Sequence, residues 1–310
     1  MTEERLPSYG GQALMEGVLM RGAKSVAAAV RTPAGNIEIV QEELKGIYRT
    51  NIRRIPFLRG LILLWDSLGL GTRFLTISAN FQTEEDEKIE GPMLYVTLGV
   101  SLLISIGLFF LLPATLGQAA ETRLNMNAWY SNLVEGIVRL LLLVLYLWVI
   151  GKMSDIQRVF AYHGAEHKTI NAFEDGAELT VEAVRKYSVE HPRCGTGFIL
   201  TVALISIVVF TLLGPLPVFW RLATRVLFIP IIAGISYEYM RWTANHIEHP
   251  LVSILVKPNL ALQHLTTREP DDSMLEVALT AFQTMYALEN EPATEESLVP
   301  AFLEGEDFAP

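Results

Sequence analysis

The sequence predicts a mainly α fold: a polytopic helical membrane protein with about four spanning helices, interfacial amphipathic helices and a small N-terminal cytoplasmic region that contains a β-hairpin. Three observations predict it. Hydrophobic residues make up 51% of the 310 positions and mean hydropathy is positive although 34 residues are acidic, so the apolar residues must be concentrated in runs. Two of those runs are free of charge and longer than the roughly 20 residues a helix needs to cross hydrocarbon. Lys and Arg cluster in alternate connections, as they do around spans whose flanking segments stay inside.

Residues 1–55 read as an N-terminal cytoplasmic arm, in which SVAAAVRT and NIEIVQEE flank the turn Pro33-Ala34-Gly35-Asn36 and predict a hairpin. Residues 56–82 intersperse Arg59, Asp66 and Arg73 through an apolar stretch, which suits an amphipathic helix lying in the membrane interface; a fifth span is the alternative. TEEDEKIE, from Thr83 to Glu90, is a solvated acidic linker. Span 1 covers 93–117, with no charge between Glu90 and Glu121. Span 2 covers 129–151 and carries Glu135 and Arg139, four residues apart and able to pair on one helix face. Span 3 covers 195–217 and stops at Gly214-Pro215-Leu216-Pro217, where prolines remove backbone donors. Span 4 covers 222–240, with Arg225 and Glu238 near its ends; such charges sit at an interface or face other helices.

Eleven Lys and Arg precede Met93, six lie between Lys152 and Arg193 and three follow span 4, whereas the connection after span 1 holds only Arg123. Four spans with both termini cytoplasmic satisfy this pattern. Segment 152–194 is then a cytoplasmic loop that bears histidines, and 241–289 is a cytoplasmic and interfacial C-terminal region. Within the latter, Ser273 and Glu276 form a capping box ahead of Leu275, Ala278, Leu279, Phe282, Met285 and Tyr286 at helical spacing. The acidic, proline-bearing tail at 290–310 is expected to be disordered. The first long apolar run begins near residue 93, so no cleavable signal peptide is expected. The single cysteine, Cys194, excludes an internal disulfide and any cysteine-rich metal cluster. No internal repeat stands out, and GGQALMEGVLMRG fits neither dinucleotide nor P-loop spacing.

All six histidines fall on the predicted cytoplasmic face. In YHGAEHK, His163 and His167 stand at i and i+4, so both imidazoles can leave one helix face and share a metal, with Glu166 beside them as base or outer partner. The order H-x-x-E-H is that of the inverzincins. Such a centre needs a further protein ligand, which HPRCG can supply as His191 or Cys194, with Arg193 between them as an anion-binding group. His246 and His249, at i and i+3 after span 4, form a second candidate pair; interfacial hydrogen bonding is the competing reading for both groups, and His264 reads as structural. Cys194 alone reads as an inert thiol as readily as a ligand. Glu16 is either a carboxylate reaching the site or a partner for Arg21.

GGQALMEGVLMRG, YHGAEHK, HPRCG, ISYEYMR (Ile235 to Arg241) and LQHLTTREP (Leu262 to Pro270), in that order, resemble the YqhQ-like bacterial membrane proteins, domain-of-unknown-function family 1385, from about residue 8 to about residue 288. The resemblance implies a multi-pass protein of the bacterial inner membrane that is a metal-dependent enzyme. It carries a metal role onto His163, Glu166 and His167, and onto His191 and Cys194, but not onto His246 or His249. Three functions follow. In the leading one a divalent metal, zinc foremost, is held by His163, His167, His191 and Cys194, with Glu166 and Arg193 catalytic, in a hydrolase acting on a lipid or membrane-protein substrate at the bilayer and on no nucleic acid. The alternatives are a non-enzymatic scaffold, insertion or assembly factor, and a membrane di-iron oxygenase. A transporter fits less well, since no span shows a convincing ionisable pair at mid-membrane.

Overall fold

This computed structural model describes residues 9–44, 55–83, 92–214 and 216–290; the acidic linker expected past Thr83 and the tail expected past Asn290 lie outside them. Four antiparallel strands, β1 (Gly10–Leu14), β2 (Gly17–Arg21), β3 (Ser25–Arg31) and β4 (Ile37–Glu43), form a meander in sequence order. β3 and β4 make a hairpin that pairs Arg31 with Ile37 around a loop in which Gly35 takes a φ of 89°, a value side chains disfavour. GGQALMEGVLMRG folds as a second hairpin. Alternation does not announce it, because β2 is buried on both faces and so reads as an unbroken apolar run.

Helices cover both faces of the sheet. Val18, Met20, Ala27 and Ala29 pack with residues of α5 (Ser154–Glu174) and α11 (Asp272–Asn290) in one apolar cluster, while Leu14, Leu19, Val26, Ala28 and Val30 pack with Phe74 of α1 (Leu58–Phe81) in another. The sheet, α5 and α11 are therefore one domain. The second half of α1 belongs to it, whereas the first half leaves Leu58, Trp65 and Leu68 exposed. Arg59, in its first turn, pairs with Glu238 of α9 (Ile229–Asn245), Nε to Oε1 at 2.7 Å.

Three helical stretches are long and apolar enough to cross a membrane: Leu94–Arg123, Ala128–Ile150 and Gly195–Leu212. The first comprises α2 (Pro92–Ile106) and α3 (Leu112–Arg123), joined by a π-helical turn at Gly107–Leu111; the others belong to α4 (Ala128–Ile150) and α7 (Gly195–Leu213). α7 ends where expected, at Gly214 with φ 68°. The stretch predicted as one span at 222–240 is instead two helices, α8 (Val218–Leu227) and α9, bent by 47° and making a fourth candidate if counted together. Pro230, which lacks an N–H, sits in the first turn after the bend.

The charges inside these helices are turned onto one another. Glu135 accepts from Arg139 (2.9 Å) on its own helix and from Arg225 (2.7 Å to each oxygen) and Arg221 (3.3 Å) on α8, all four residues being buried. Arg139 also donates to Ser206 Oγ (2.8 Å) and to the carbonyl of Phe109 (2.9 Å), within the π-helical turn. Sequence reading expected the Glu135 and Arg139 pair, but not a cluster on this scale.

Candidate metal centre

α5 presents His163 and His167 on one face, their ring centroids 4.4 Å apart. Each ring is pinned through Nδ1, that of His163 to the carbonyl of Thr266 (2.8 Å) and that of His167 to the carbonyl of Val189 (2.6 Å). A carbonyl only accepts, so Nδ1 carries the proton and Nε2 keeps its lone pair. That is how metal-ligating histidines are oriented. Burial holds the pKa of His167 below the usual imidazole range, which keeps the ring neutral and able to coordinate.

The third donor arrives on a turn. Pro192 follows His191, and Cys194 N–H donates to the His191 carbonyl (3.3 Å), closing a β-turn with proline at its second position. Cys194 then caps α7, its Sγ accepting from Thr196 N–H (3.4 Å). Sγ lies 3.3 Å from His163 Nε2, and the donor atoms of His163, His167 and Cys194 all fall within 4.8 Å of one another. Bonds of about 2.0 Å to nitrogen and 2.3 Å to sulfur would set two ligands of a tetrahedral zinc about 3.5 Å apart. The His163–Cys194 separation matches that spacing, and His167 completes a candidate three-donor set within 4.8 Å.

A cavity of about 90 Å³ adjoins these atoms, lined also by Tyr9, Gly11, Glu166, His191 and Arg193. Glu166 is wholly buried, and burial raises its carboxyl pKa while the His163 and His191 charges and the Gly11 N–H oppose the shift. Its Oε2 comes 3.9 Å from His163 Nε2. Gly11 must be glycine, since a Cβ there would stand 2.8 Å from Glu166 Cγ and 2.7 Å from the Leu19 carbonyl. His191 lines the cavity with its Nε2 3.6 Å from Glu174 Oε2 and does not belong to the three-donor group. Arg193 is also bound to Glu174, so its charge is already matched.

The remaining candidates are used locally. His246 Nδ1 bonds the carbonyl of Trp242 (2.8 Å), His249 caps α10 (Pro250–Gln263), and exposed His264 pairs with Glu190 (3.0 Å). Neither expected role of Glu16 holds: its carboxylate receives Arg158 (2.5 and 2.6 Å) and the Tyr162 hydroxyl (3.2 Å). Sequence reading missed Thr266, Val189, Gln263 and Glu174, two of which act through backbone carbonyls that carry no residue signature.

A family model described as a protein of unknown function (DUF1385) matches residues 55–288. Over 298 residues, 91% of this chain and 93% of the relative, the sequence is 35% identical to a Bacillus subtilis (strain 168) protein described as uncharacterized protein YqhQ. No solved structure matches.

Proposed function

The chain belongs to the DUF1385 family, and on that premise we propose that it is a multi-pass membrane protein with a divalent metal centre, best suited to zinc, that works as a hydrolase at the cytoplasmic membrane face. The observation that carries this reading is the convergence of His163, His167 and Cys194, with both Nδ1 atoms already committed to carbonyls. The cytoplasmic assignment is supported by the Lys and Arg distribution and by the position of the histidines between the end of α4 and the start of α7.

An ion held by His163, His167 and Cys194 would supply Lewis acidity to a substrate carbonyl or phosphoryl oxygen and would acidify water. The protein's own groups do the rest. Glu166, held by Gly11 N–H beside His163, is placed to take a proton from a water in the cavity and to return it to a leaving group. His163 and His167 stay oriented through Thr266 and Val189. Glu174 fixes His191 and Arg193 at the wall, so neither is assigned as a ligand in this reading. A lipid or membrane-protein substrate suits a site at the ends of apolar helices.

The test is metal content, by mass spectrometry, of detergent-purified protein prepared without chelator. Near-stoichiometric zinc in the wild type, lost in His163→Ala, His167→Ala and Cys194→Ser, is the expected result. Metal-free, well-folded wild type overturns the reading and returns the scaffold to first place.

A further inference from the structure

Three walls of the cavity are referenced to one short turn at the end of α10. Gln263, fully buried, grips both peptide groups of His191: its Oε1 accepts from His191 N–H (2.9 Å) and its Nε2 donates to the His191 carbonyl (2.9 Å). That same carbonyl accepts from Cys194 N–H, so the amide of Gln263 holds the first residue of the turn whose last residue presents the thiol. Three residues on, the Thr266 carbonyl orients His163, while Thr266 Oγ1 and Thr196 Oγ1 lie 3.1 Å apart and join the turn to the first turn of α7.

We propose that Gln263 is the positioning residue of the centre, acting through the His191–Cys194 turn to set Cys194 Sγ against His163 Nε2. The chemistry is specific to an amide. An amide offers one donor and one acceptor in a plane whatever the pH, and Gln263 spends both on a single residue. A leucine of similar size removes both bonds and leaves two buried backbone groups unpaired, freeing the turn to rotate. An ionised glutamate keeps an acceptor for His191 N–H but sets a second oxygen against the His191 carbonyl. Outer groups of this kind alter metal affinity about 10- to 100-fold without touching the ion.

The proposal rests on the metal-centre reading for one of its two readouts and is independent of it in the other. Because Cys194 is the chain's one cysteine and is buried, its alkylation by N-ethylmaleimide in metal-free protein reports the turn alone. Gln263→Leu and Gln263→Glu are expected to melt as sharply as wild type while Cys194 reacts about 10-fold faster. Cobalt(II), used as probe, is expected to bind both variants about 10- to 100-fold more weakly and with an altered thiolate charge-transfer band. Should Gln263→Leu fail to fold, Gln263→Glu decides. Wild-type alkylation rates in a folded variant overturn the positioning role whatever the metal result. Absence of cobalt uptake by the wild type overturns the metal reading, and alkylation still judges Gln263.

Discussion

The rings of His167 and His191 lie 5.6 Å apart, centroid to centroid, yet they face different partners: His167 offers Nε2 to the set shared with His163 and Cys194, whereas His191 turns Nε2 toward Glu174. The two substitutions should therefore separate. His167→Ala is expected to lower zinc affinity by more than about 100-fold, and His191→Gln by about 10-fold, the lower end for an outer group. Competition titrations against a chromophoric chelator measure both, and equal losses would make His191 a ligand.

Glu166 and the two glycines of β1 give a packing test. Gly11→Ala drives a Cβ to within 2.9 Å of Glu166 Oε1 and to 2.7 Å of the Leu19 carbonyl, and neither the carboxyl nor the strand can move without breaking their contact. A loss of about 1–3 kcal/mol in stability is expected, as for other overpacked sites. Gly10→Ala, whose Cβ would meet nothing within 4 Å, is the control and should change little. Thermal unfolding of the two variants side by side checks this.

Glu135 balances three buried arginines, Arg139, Arg221 and Arg225. Glu135→Ala strands them in a low-dielectric interior, a change that costs about 3–5 kcal/mol when one partner of a buried pair is removed. We expect a sharp fall in the yield of monodisperse protein and in its melting temperature. Glu121→Ala, which removes a partner that is partly exposed, should be milder.

The Glu16 carboxyl pKa lies below its ordinary value, first through the Arg158 hydrogen bond and further through Tyr162, against an opposing contribution from burial. A depressed carboxyl stabilises the fold above its unfolded pKa, near 4.5, and that stabilisation disappears as pH falls through the lower folded value. Wild type should thus lose melting temperature below about pH 4.5 more steeply than Glu16→Gln. Superimposable acid limbs would show that the pair adds no net stability.

Apolar runs and lysine and arginine placement made the long helices legible, because hydrocarbon length and charge are properties of sequence windows. The 47° bend was less so: Pro230 was visible, but proline within an apolar stretch is compatible with a straight, kinked or broken helix. At the site, i and i+4 spacing foretold the His163 and His167 face, and HPRCG foretold Cys194. It could not tell which ring of the cavity turns inward, since His191 is steered by Glu174 from α5 and by Gln263 from α10, residues distant in sequence. The burial of β2 on both faces hid it and its partner β1, half the sheet.

Glu289, in the last turn of α11, accepts from the N–H groups of Lys24 (2.5 Å) and Ser25 (2.8 Å). The hairpin near the start of the chain is thus closed by a carboxylate 264 residues later. At about 5–20 residues per second of synthesis, that is a wait of roughly 13–50 s, during which every candidate span must leave the ribosome while one apolar face of the sheet stays uncovered. The order of synthesis therefore completes the sheet's domain only after every candidate span has been made. A ribosome stalled before α11 leaves a nascent chain whose candidate spans are already made and whose sheet still lacks its lid, a natural substrate for chaperones and proteases.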